Sequence, residues 1–137
     1  MIELDPLFLT LEEVLDVHAD QLRLFGGTAG IRDHGSLESA IATPSATFSG
    51  AFLHGTIWQM AAAYAFHIAQ NQPFLDGNKR VGLNACLLFL ALNGWEVVDP
   101  GGALYDGMIG FADGSMNKSG FADLLRSLSV PSDSMEA

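Results

Sequence analysis

The chain has 137 residues and a formal net charge of −10 at pH 7, with 49% hydrophobic and only 16% charged residues. This length suits one domain, and the composition excludes an intrinsically disordered protein. Binding to DNA or RNA without regard to sequence depends on Lys and Arg that neutralise phosphates. The chain has six such residues against sixteen acidic ones, so we expect no nucleic-acid partner.

The sequence gives no sign of a membrane protein or a secreted one. A signal peptide needs a basic segment followed by an apolar core, and the N-terminal residues do not show that order. Apolar runs are interrupted before they reach the length that spans a bilayer. We therefore expect a cytoplasmic protein without a membrane partner. Cys86 is the single cysteine, which excludes an internal disulfide and suggests a buried small side chain.

The first predicted helix begins at a capping box. Thr10 is followed three residues later by Glu13, a pair that satisfies main-chain N–H groups at a helix start. Gly26-Gly27 should end this helix, and a glycine-rich loop should follow as far as Gly35. His18 lies on the apolar face, where a packed core residue is more common than a ligand.

A short helix and an irregular connection are predicted next. Ser36 is a suitable cap for a helix over Leu37–Ala42, and Pro44 stops that helix. The following stretch, Phe48 to Gly55, is apolar but shows neither helical nor strand periodicity, which predicts an irregular connection.

Two long apolar segments then form the predicted centre of the fold. One runs from about Thr56 to Asn71 and the other from about Asn78 to Asn93. Both are too long for strands and lack alternation, which favours buried helices. The first is rich in alanine, and small side chains let neighbouring helices approach closely.

The remainder of the chain predicts further helices and a tail. Trp95 to Val98 suits a short extended segment, and amphipathic helices are expected near Ala103–Ala112 and Gly120–Leu128. The predicted architecture is all-α, a helical bundle around the two buried central helices. We expect one domain over residues 1–130 and a disordered tail over residues 131–137.

The polar junction between the central helices, Asn71 to Arg80, carries the chemistry. Pro73 should end the first helix, because the residue before a proline avoids the α region. The start of the second helix exposes unpaired N–H groups and the positive end of a dipole, which attract anions. Lys79 and Arg80 stand side by side there, which predicts a phosphate site, and Asp76 is a suitable Mg²⁺ ligand. The alternative from these residues alone is a surface turn with solvated charges.

The same residues carry a family resemblance. Pro73-Phe74-Leu75-Asp76-Gly77-Asn78-Lys79-Arg80 resembles the signature loop of the Fic/Doc superfamily in its death-on-curing branch, where the pattern is His-Pro-Phe-x-Asp-Gly-Asn-Lys-Arg. The resemblance extends upstream over residues 26–40 and downstream over residues 87–94. This chain departs from the pattern at one position, because Gln72 stands where the family has its histidine.

The resemblance implies transfer from ATP or another nucleoside triphosphate, with Mg²⁺, to a hydroxyl of a protein. Most Fic proteins transfer the nucleotidyl group (AMPylation), whereas the Doc branch transfers the terminal phosphate as a kinase. Lys79 replaces the usual glycine and Leu83 replaces a second arginine, and both differences point to the Doc branch. Kinase and nucleotidyltransferase chemistry stay open at this point.

The resemblance also implies a role for each residue of the loop. Asp76 resembles the Mg²⁺ ligand, and Phe74 anchors the loop in the core. The implied nucleotide and phosphate contacts are Gly77, Asn78, Lys79 and Arg80, and the implied catalytic positions are Gln72, Asp76, Lys79 and Arg80. Such a division suits phosphoryl transfer, which needs charge neutralisation and alignment more than covalent chemistry from the protein.

Gln72 predicts a loss of activity. The family histidine takes the proton of the attacking hydroxyl, and an amide is not basic at physiological pH. Loss of a general base typically costs about a hundred- to ten-thousand-fold in rate. Three explanations compete: a deliberately inactivated variant, a natural pseudoenzyme, or replacement of the base by His67. The last is least favoured, because a residue five positions earlier on a helix lies on a different face.

Two classes of function therefore stay open. One is a toxin of a toxin–antitoxin system that modifies a protein such as a translation elongation factor. A small antitoxin would then fold along an apolar groove, for which the first helix and the Phe48–His54 connection are candidates, although these residues could equally complete the core. The inhibitory pattern Ser/Thr-x-x-x-Glu-Gly/Asn of many Fic proteins is absent from the sequence. The other class is a pseudoenzyme that acts as a nucleotide- or partner-binding regulator.

Overall fold

A computed structural model of the chain describes residues 5–132. Within this range the architecture is helical, with two small antiparallel sheets of two strands each. The helices are α1 (Leu11–Phe25), α2 (His34–Ala42), α3 (Ile57–Asn71), α4 (Asn78–Leu92), α5 (Ala103–Asp113) and α6 (Lys118–Leu128). The strands are β1 (Thr47–Phe48), β2 (Ala51–Phe52), β3 (Trp95–Val97) and β4 (Ser129–Pro131), and a 3₁₀ turn spans Thr43–Ser45. The all-α prediction is confirmed.

Helix α3 is the centre of the bundle, and it packs against α2, α4, α5 and α6. Its fully buried residues are Met60, Ala61, Ala62, Ala63, Tyr64, Ala65 and Ile68. The approach to α4 is very close, because a Cβ added at Gly82 would lie 2.8 Å from the carbonyl oxygen of Ala65. The two central buried helices are thus confirmed, and small side chains on both allow their contact. Cys86 is buried within α4, as predicted.

The helix starts depend on side-chain caps. At α1 the hydroxyl of Thr10 accepts from the main-chain N–H of Glu13 at 3.1 Å, and the Glu13 carboxylate accepts from the N–H of Thr10 at 2.8 Å. The predicted capping box is therefore present, and Gly26 ends the helix with a positive φ of 75°. An equivalent box of Thr56 and Gln59 opens α3.

Helix α2 corrects the prediction of its start. It begins at His34 instead of Leu37, and the cap is Asp33 instead of Ser36. The Asp33 carboxylate accepts from the main-chain N–H of Ser36 at 3.1 Å, which places Ser36 inside the first turn. An extended aspartate next to the helix start is a strong cap, and it adds one turn to the helix.

The predicted irregular connection from Phe48 to Gly55 is also wrong in part, because it contains a β-hairpin. Thr47 pairs with Phe52, and Phe48 pairs with Ala51. Ser49 and Gly50 between them have φ values of 52° and 81°. Two successive left-handed residues make the tight turn whose twist suits antiparallel strands.

The C-terminal end of the described chain is paired with the rest of the fold. Pro131 lies opposite Trp95 in the β3–β4 sheet, and the N–H of Ser132 donates to the carbonyl of Gly94 at 2.9 Å. The first two residues of the predicted tail are therefore ordered by main-chain pairing, while residues 133–137 lie outside the described range. Over residues 5–132, no helix has both the length and the apolar character to cross a membrane.

Candidate functional site

The signature loop begins where α3 ends, at Gln72. This residue has φ 49° and ψ 56°, a left-handed conformation that is uncommon for a residue other than glycine. The side chain of Gln72 is exposed and Pro73 behind it is buried. Position 72 is thus the first residue outside the helix, and its side chain is accessible to a substrate.

Arg32 fixes the main chain at this point. Its Nε–H donates to the carbonyl of Gln72 at 2.6 Å, and its Nη2 donates to the carbonyl of Asn71 at 2.7 Å. The last carbonyls of a helix have no partner within the helix, so a forked cation is well suited to cap them. No sequence motif marks Arg32 for this role. The only signal was its place in the upstream segment that shares the family resemblance.

The glycine-rich segment before α2 runs antiparallel to the signature loop. The N–H groups of Arg32 and Asp33 both donate to the carbonyl of Pro73, at 2.7 and 3.1 Å. The N–H of Leu75 donates to the carbonyl of Gly30 at 3.0 Å. This strand-like pairing holds the main chain of the loop at Pro73 and Leu75, although many of its side chains are exposed.

Phe74 anchors the loop from below, as the resemblance implied for this position. Its side chain is only 1% exposed, and its ring stacks on the imidazole of His18 with centroids 3.9 Å apart. His18 is itself 6% exposed, in agreement with its predicted place in the core. Burial lowers the pKa of His18, although the main chain and carboxylate of Asp76 act in the opposite direction. The stacked rings of Phe74 and His18 therefore form the buried surface beneath the loop.

The carboxylate of Asp76 is oriented by main-chain donors. Its Oδ2 accepts from the N–H of Thr28 at 3.2 Å, and its Oδ1 accepts from the N–H of Gly77 at 2.9 Å. Gly27 lies against it so closely that an added Cβ would be 2.7 Å from Oδ2. Each carboxylate oxygen has a further lone pair, so Asp76 can still coordinate a cation on its exposed side.

Asp76 is the kind of ligand that Mg²⁺ uses beside phosphates. In residues 5–132 no group of three or more His, Cys, Asp or Glu side chains is placed to hold a metal. Mg²⁺ commonly binds through one or two carboxylates together with substrate phosphates and water. A single oriented carboxylate beside a phosphate site therefore fits this ion, and it does not fit a metal that needs a cage of protein ligands.

Asn78 has a structural role in its side chain. The Oδ1 accepts from the N–H of Phe74 and the Nδ2 donates to the carbonyl of Phe74, both at 3.0 Å. This double hydrogen bond closes the loop onto the start of α4. A phosphate contact at this position would therefore use the main-chain N–H of Asn78 and not its amide side chain.

The start of α4 is open to an anion. Gly77 precedes the helix with a φ of 79°, and in the described structure no side chain caps this end. The first N–H groups of α4, those of Asn78, Lys79 and Arg80, therefore have no intrahelical partner. Such a helix start binds phosphate readily.

Lys79 and Arg80 lie in the first turn of α4. Both side chains are exposed, and neither is among the ion pairs formed within residues 5–132. The Arg80 guanidinium carbon lies 4.4 Å from the ring centroid of Phe25. A neighbouring pocket of about 310 Å³ is lined by Gln21, Leu24, Phe25, Arg80, Leu83, Asn84 and Tyr105.

His67 belongs to a different environment. Its Nε2 lies 3.0 Å from the Nζ of Lys118. Within residues 5–132, no hydrogen bond joins the His67 side chain to the signature loop. Burial, followed by the nearby Lys118, lowers the pKa of His67 to about 4. An imidazole with that pKa is a weak base at neutral pH, which argues against His67 as a replacement for the family histidine.

Comparison with known proteins gives a consistent result. The sequence model of the Fic/DOC family matches residues 8–90, more than half of the chain. The chain is 41% identical to "Toxin Doc" of Mycolicibacterium smegmatis over 73 residues, which are 53% of this chain and 56% of that protein. It is 34% identical to "Protein kinase doc" of Escherichia phage P1 over 117 residues, which are 85% of this chain and 91% of that protein.

The first of these relatives is thus aligned over little more than half of its length, and the second over nearly all of it. Both carry the Doc name, and the family match includes the whole signature loop together with the upstream segment that pairs with it. The chain belongs to the Fic/DOC family, in its Doc-type branch.

Proposed function

We propose that this chain is the toxin of a toxin–antitoxin pair, with a site for phosphate transfer from a nucleoside triphosphate to a hydroxyl of a protein. ATP is the first nucleotide to test, and a translation elongation factor is the first target. One observation carries the proposal: an oriented carboxylate and two cations that form no ion pair within residues 5–132 lie at the start of a central helix that no described side chain caps. The site is cytoplasmic in this proposal, where nucleotide, Mg²⁺ and translation factors are all present.

The phosphates would bind at the start of α4. The main-chain N–H groups of Asn78, Lys79 and Arg80 point out of the helix start, and the side chains of Lys79 and Arg80 add two positive charges. Asp76 would hold Mg²⁺, which when bound neutralises charge on the transferring phosphoryl group. The residues that hold Asp76, namely Gly27, Thr28 and Gly77, keep the carboxylate in place before nucleotide binds.

Transfer forms a bond between the target oxygen and the terminal phosphorus and breaks the bond from that phosphorus to the nucleoside diphosphate. The proton of the target hydroxyl must then go to a base. Gln72 can accept a hydrogen bond from the hydroxyl through its amide oxygen, but it cannot remove the proton. We therefore infer that the chain binds nucleotide and target while it transfers phosphate very slowly.

Transfer of the terminal phosphate is favoured over transfer of the nucleotidyl group. Lys79 and Leu83 differ from the common Fic pattern in the manner of the Doc branch, and the phage relative is named a protein kinase. Nucleotidyl transfer would add a much larger group to the target, so the mass of the modified target distinguishes the two reactions.

The second candidate function is a pseudoenzyme that keeps the site for binding alone. The observation in its favour is that the loop, its pairing with residues 30–33 and the Phe74 anchor are all intact around Gln72. Substitution of His at position 72 separates the two functions, because a pseudoenzyme that has lost more than its base would not regain transfer.

Nucleotide binding is tested by calorimetric titration of ATP with Mg²⁺. The double change Lys79→Ala and Arg80→Ala should abolish measurable binding. A matched double change, Arg23→Ala and Arg126→Ala, removes the same charge from exposed positions elsewhere and should leave binding nearly unchanged. Asp76→Ala should weaken binding in the presence of Mg²⁺ but not in its absence. Equal affinities for the two double variants would contradict the proposed site.

The partner in this proposal is a small antitoxin with an amphipathic segment. Phe48 of β1 is 73% exposed and Leu53 after β2 is 62% exposed, so these two side chains do not complete the core. On α1, Leu24 and Phe25 are also exposed, at 61% and 59%. Several large apolar side chains exposed to solvent are typical of surfaces that bind a partner helix.

The antitoxin is tested by co-expression with the product of the neighbouring small gene and size-exclusion chromatography. A stable complex is expected, and Phe48→Asp with Leu53→Asp should weaken it. Ile109→Asp is a control, since Ile109 is 45% exposed and belongs to α5. Absence of a complex with the unaltered chain would remove the support for a toxin–antitoxin function and favour the pseudoenzyme.

A further inference from the structure

A cluster of two histidines and a lysine lies apart from the signature loop. His54 follows β2, His67 is in α3, and Lys118 is the first residue of α6. The Nζ of Lys118 lies 3.0 Å from the Nε2 of His67 and 3.3 Å from the Nε2 of His54. An ammonium group can only donate, so both Nε2 atoms accept and each ring carries its proton on Nδ1.

The positive charge of this cluster is carried by Lys118. Among the ion pairs of residues 5–132, none involves Lys118. Burial lowers the pKa of His54 and that of His67, and the Lys118 charge lowers both further. This agrees with the geometry, in which each imidazole accepts from Lys118 through Nε2. The remaining neighbour is the ring of Phe66, 5.6 Å from Nζ. Within residues 5–132 this partly buried ammonium therefore has one N–H left over and no carboxylate paired with it, in a chain whose net charge is −10.

This ammonium lies in the wall of a pocket of about 380 Å³. The pocket is lined by Leu53, His54, Gln59, Asn117, Lys118 and Ser119. A volume of this size is in the range of small-molecule sites. Leu53 gives the pocket one apolar side, while the other lining residues are polar.

The amide side chains of the wall are left with donors. The Oε1 of Gln59 accepts from the N–H groups of Gly55 and Thr56, at 2.8 and 3.2 Å. The Oδ1 of Asn117 accepts from the N–H of Gly120 at 2.7 Å. Within residues 5–132 no hydrogen bond uses the NH₂ group of either side chain, while the Gln59 oxygen accepts two and the Asn117 oxygen accepts one. Most of the polar groups that these two amides leave for a ligand are therefore donors. A ligand that only accepts hydrogen bonds is therefore the best match.

We propose that this pocket binds a small organic carboxylate, whose negative group pairs with Lys118 and whose short apolar group lies against Leu53. A carboxylate accepts hydrogen bonds without donating any, which matches the donors of the wall. Its single charge balances the single charge of Lys118, whereas a phosphate monoester carries about −1.5 to −2 at pH 7. A charge-assisted hydrogen bond in a partly buried site is among the strong ones.

The pocket shares no lining residue with the proposed phosphate site, although Leu53 also belongs to the proposed antitoxin surface. Gln59 is in the first turn of α3 and Gln72 follows its last turn, thirteen residues later. Gln59, at one end of the pocket, therefore lies about 20 Å along the helix axis from Gln72. The Lys118 end lies nearer, because His67, 3.0 Å from the Nζ of Lys118, precedes Gln72 by five residues, or about 8 Å along the axis. The lining of the pocket and the residues of the phosphate site are different, so amide signals from each distinguish the failure of one proposal from the failure of the other.

The test is a titration of ¹⁵N-labelled protein with sodium benzoate at constant ionic strength, followed by NMR. Saturable shifts are expected at the amides of Lys118 and Ser119. The amide signals of Asn78, Lys79 and Arg80 report on the signature loop. They should not shift together with the signals of Lys118 and Ser119. A parallel titration with inorganic phosphate should leave Lys118 and Ser119 unaffected. The proposal is overturned if benzoate gives no saturation at these two amides or if phosphate alone does.

A second measurement uses the fact that Lys79 and Lys118 are the only lysines of the chain. Acetylation by an amine-reactive reagent is followed for each by mass spectrometry. Benzoate at tenfold its dissociation constant should slow acetylation of Lys118 about tenfold and leave Lys79 unchanged. Equal rates for Lys118 with and without benzoate would also overturn the proposal, and this measurement needs no variant.

The variant Lys118→Met removes the charge and keeps most of the side-chain length. It should abolish the benzoate shift at Ser119, whereas Arg126→Met, an exposed cation of the same helix, should retain it. A shift at Ser119 that persists in Lys118→Met contradicts a carboxylate paired with Lys118.

Discussion

The Arg32 side chain binds the main chain of Gln72 and leaves the Gln72 side chain accessible. The Nε–H of Arg32 donates to the Gln72 carbonyl at 2.6 Å, and Nη2 donates to the Asn71 carbonyl at 2.7 Å. A residue forty positions earlier thus determines how position 72 leaves α3. The left-handed conformation of Gln72 is costly for a residue other than glycine, and this clamp offsets part of that cost.

The first prediction concerns this clamp. Arg32→Met should lower the free energy of unfolding by about 1–2 kcal/mol, because two charge-assisted hydrogen bonds at an exposed site are lost. Arg32→Lys should recover little, since an ammonium cannot span two carbonyls as a guanidinium does. Urea denaturation measures both effects. Arg23→Met is the control, because the exposed Arg23–Asp20 pair should contribute less than about 1 kcal/mol. Equal losses in Arg32→Met and Arg23→Met would show that the clamp has no special role.

The second prediction concerns the support of Asp76. Gly27→Ala would place a Cβ 2.7 Å from the Asp76 Oδ2, at a residue whose φ is 118°. The carboxylate or the loop must then move. The factor by which Mg²⁺ raises the affinity for ATP should therefore fall by about tenfold or more, which corresponds to about 1.4 kcal/mol. Calorimetric titration with and without Mg²⁺ measures that gain.

Gly26→Ala provides the matched comparison for Gly27→Ala. Gly26 also has a positive φ, 75°, but an added Cβ would meet nothing within 4 Å. It should reduce stability through backbone strain and leave the effect of Mg²⁺ on ATP affinity intact. If both variants lose that effect equally, strain in the loop and not displacement of Asp76 is responsible.

The third prediction concerns the contact of the central helices. Gly82→Ala should destabilise the fold by about 1–3 kcal/mol, because the new methyl group would lie 2.8 Å from the main-chain oxygen of Ala65. An ordinary helix would gain stability from the same change. Thermal unfolding of Gly82→Ala and of Gly101→Ala compares a crowded position with an open one, since nothing lies within 4 Å of a Cβ at Gly101. A stability increase in Gly82→Ala would contradict the close approach.

The central helices and the loop between them were predictable from local pattern. Apolar length identified α3 and α4, and Pro73 and Gly77 marked the break between them. The anion site that Lys79 and Arg80 indicate stays a prediction. The first helix was equally clear, because Thr10 and Glu13 form a cap from residues three apart. In each case the interactions that decide the structure are local in sequence, so their spacing is visible in it.

The support of the site was not predictable in the same way. Residues 30–33 pair with residues 73–75 through main-chain groups, which leave no pattern of side chains in the sequence. Asn78 was assigned to phosphate by resemblance, whereas its amide closes the loop on Phe74. Lys118 contacts His54 and His67, which belong to other elements of the fold. This contact depends on how the elements pack, and the spacing of the three residues in the sequence does not reveal it.

The central claim is that this chain carries a phosphate-transfer site that lacks only its base. Incubation with ATP, Mg²⁺ and a purified translation elongation factor, followed by mass spectrometry of the factor, tests it most directly. With Gln72 in place, little or no modified factor is expected. Gln72→His should raise the rate by at least about a hundredfold and add the mass of one phosphate to a hydroxyl-bearing residue. Asp76→Ala in the same background should abolish the gain.

The same variants have an expected effect in cells, because the restored enzyme should slow growth when it is expressed and Asp76→Ala should relieve that effect. Transfer at full rate by the chain with Gln72 would contradict the inferred role of position 72. Absence of any transfer by Gln72→His, with the protein folded and ATP bound, would contradict the account as a whole.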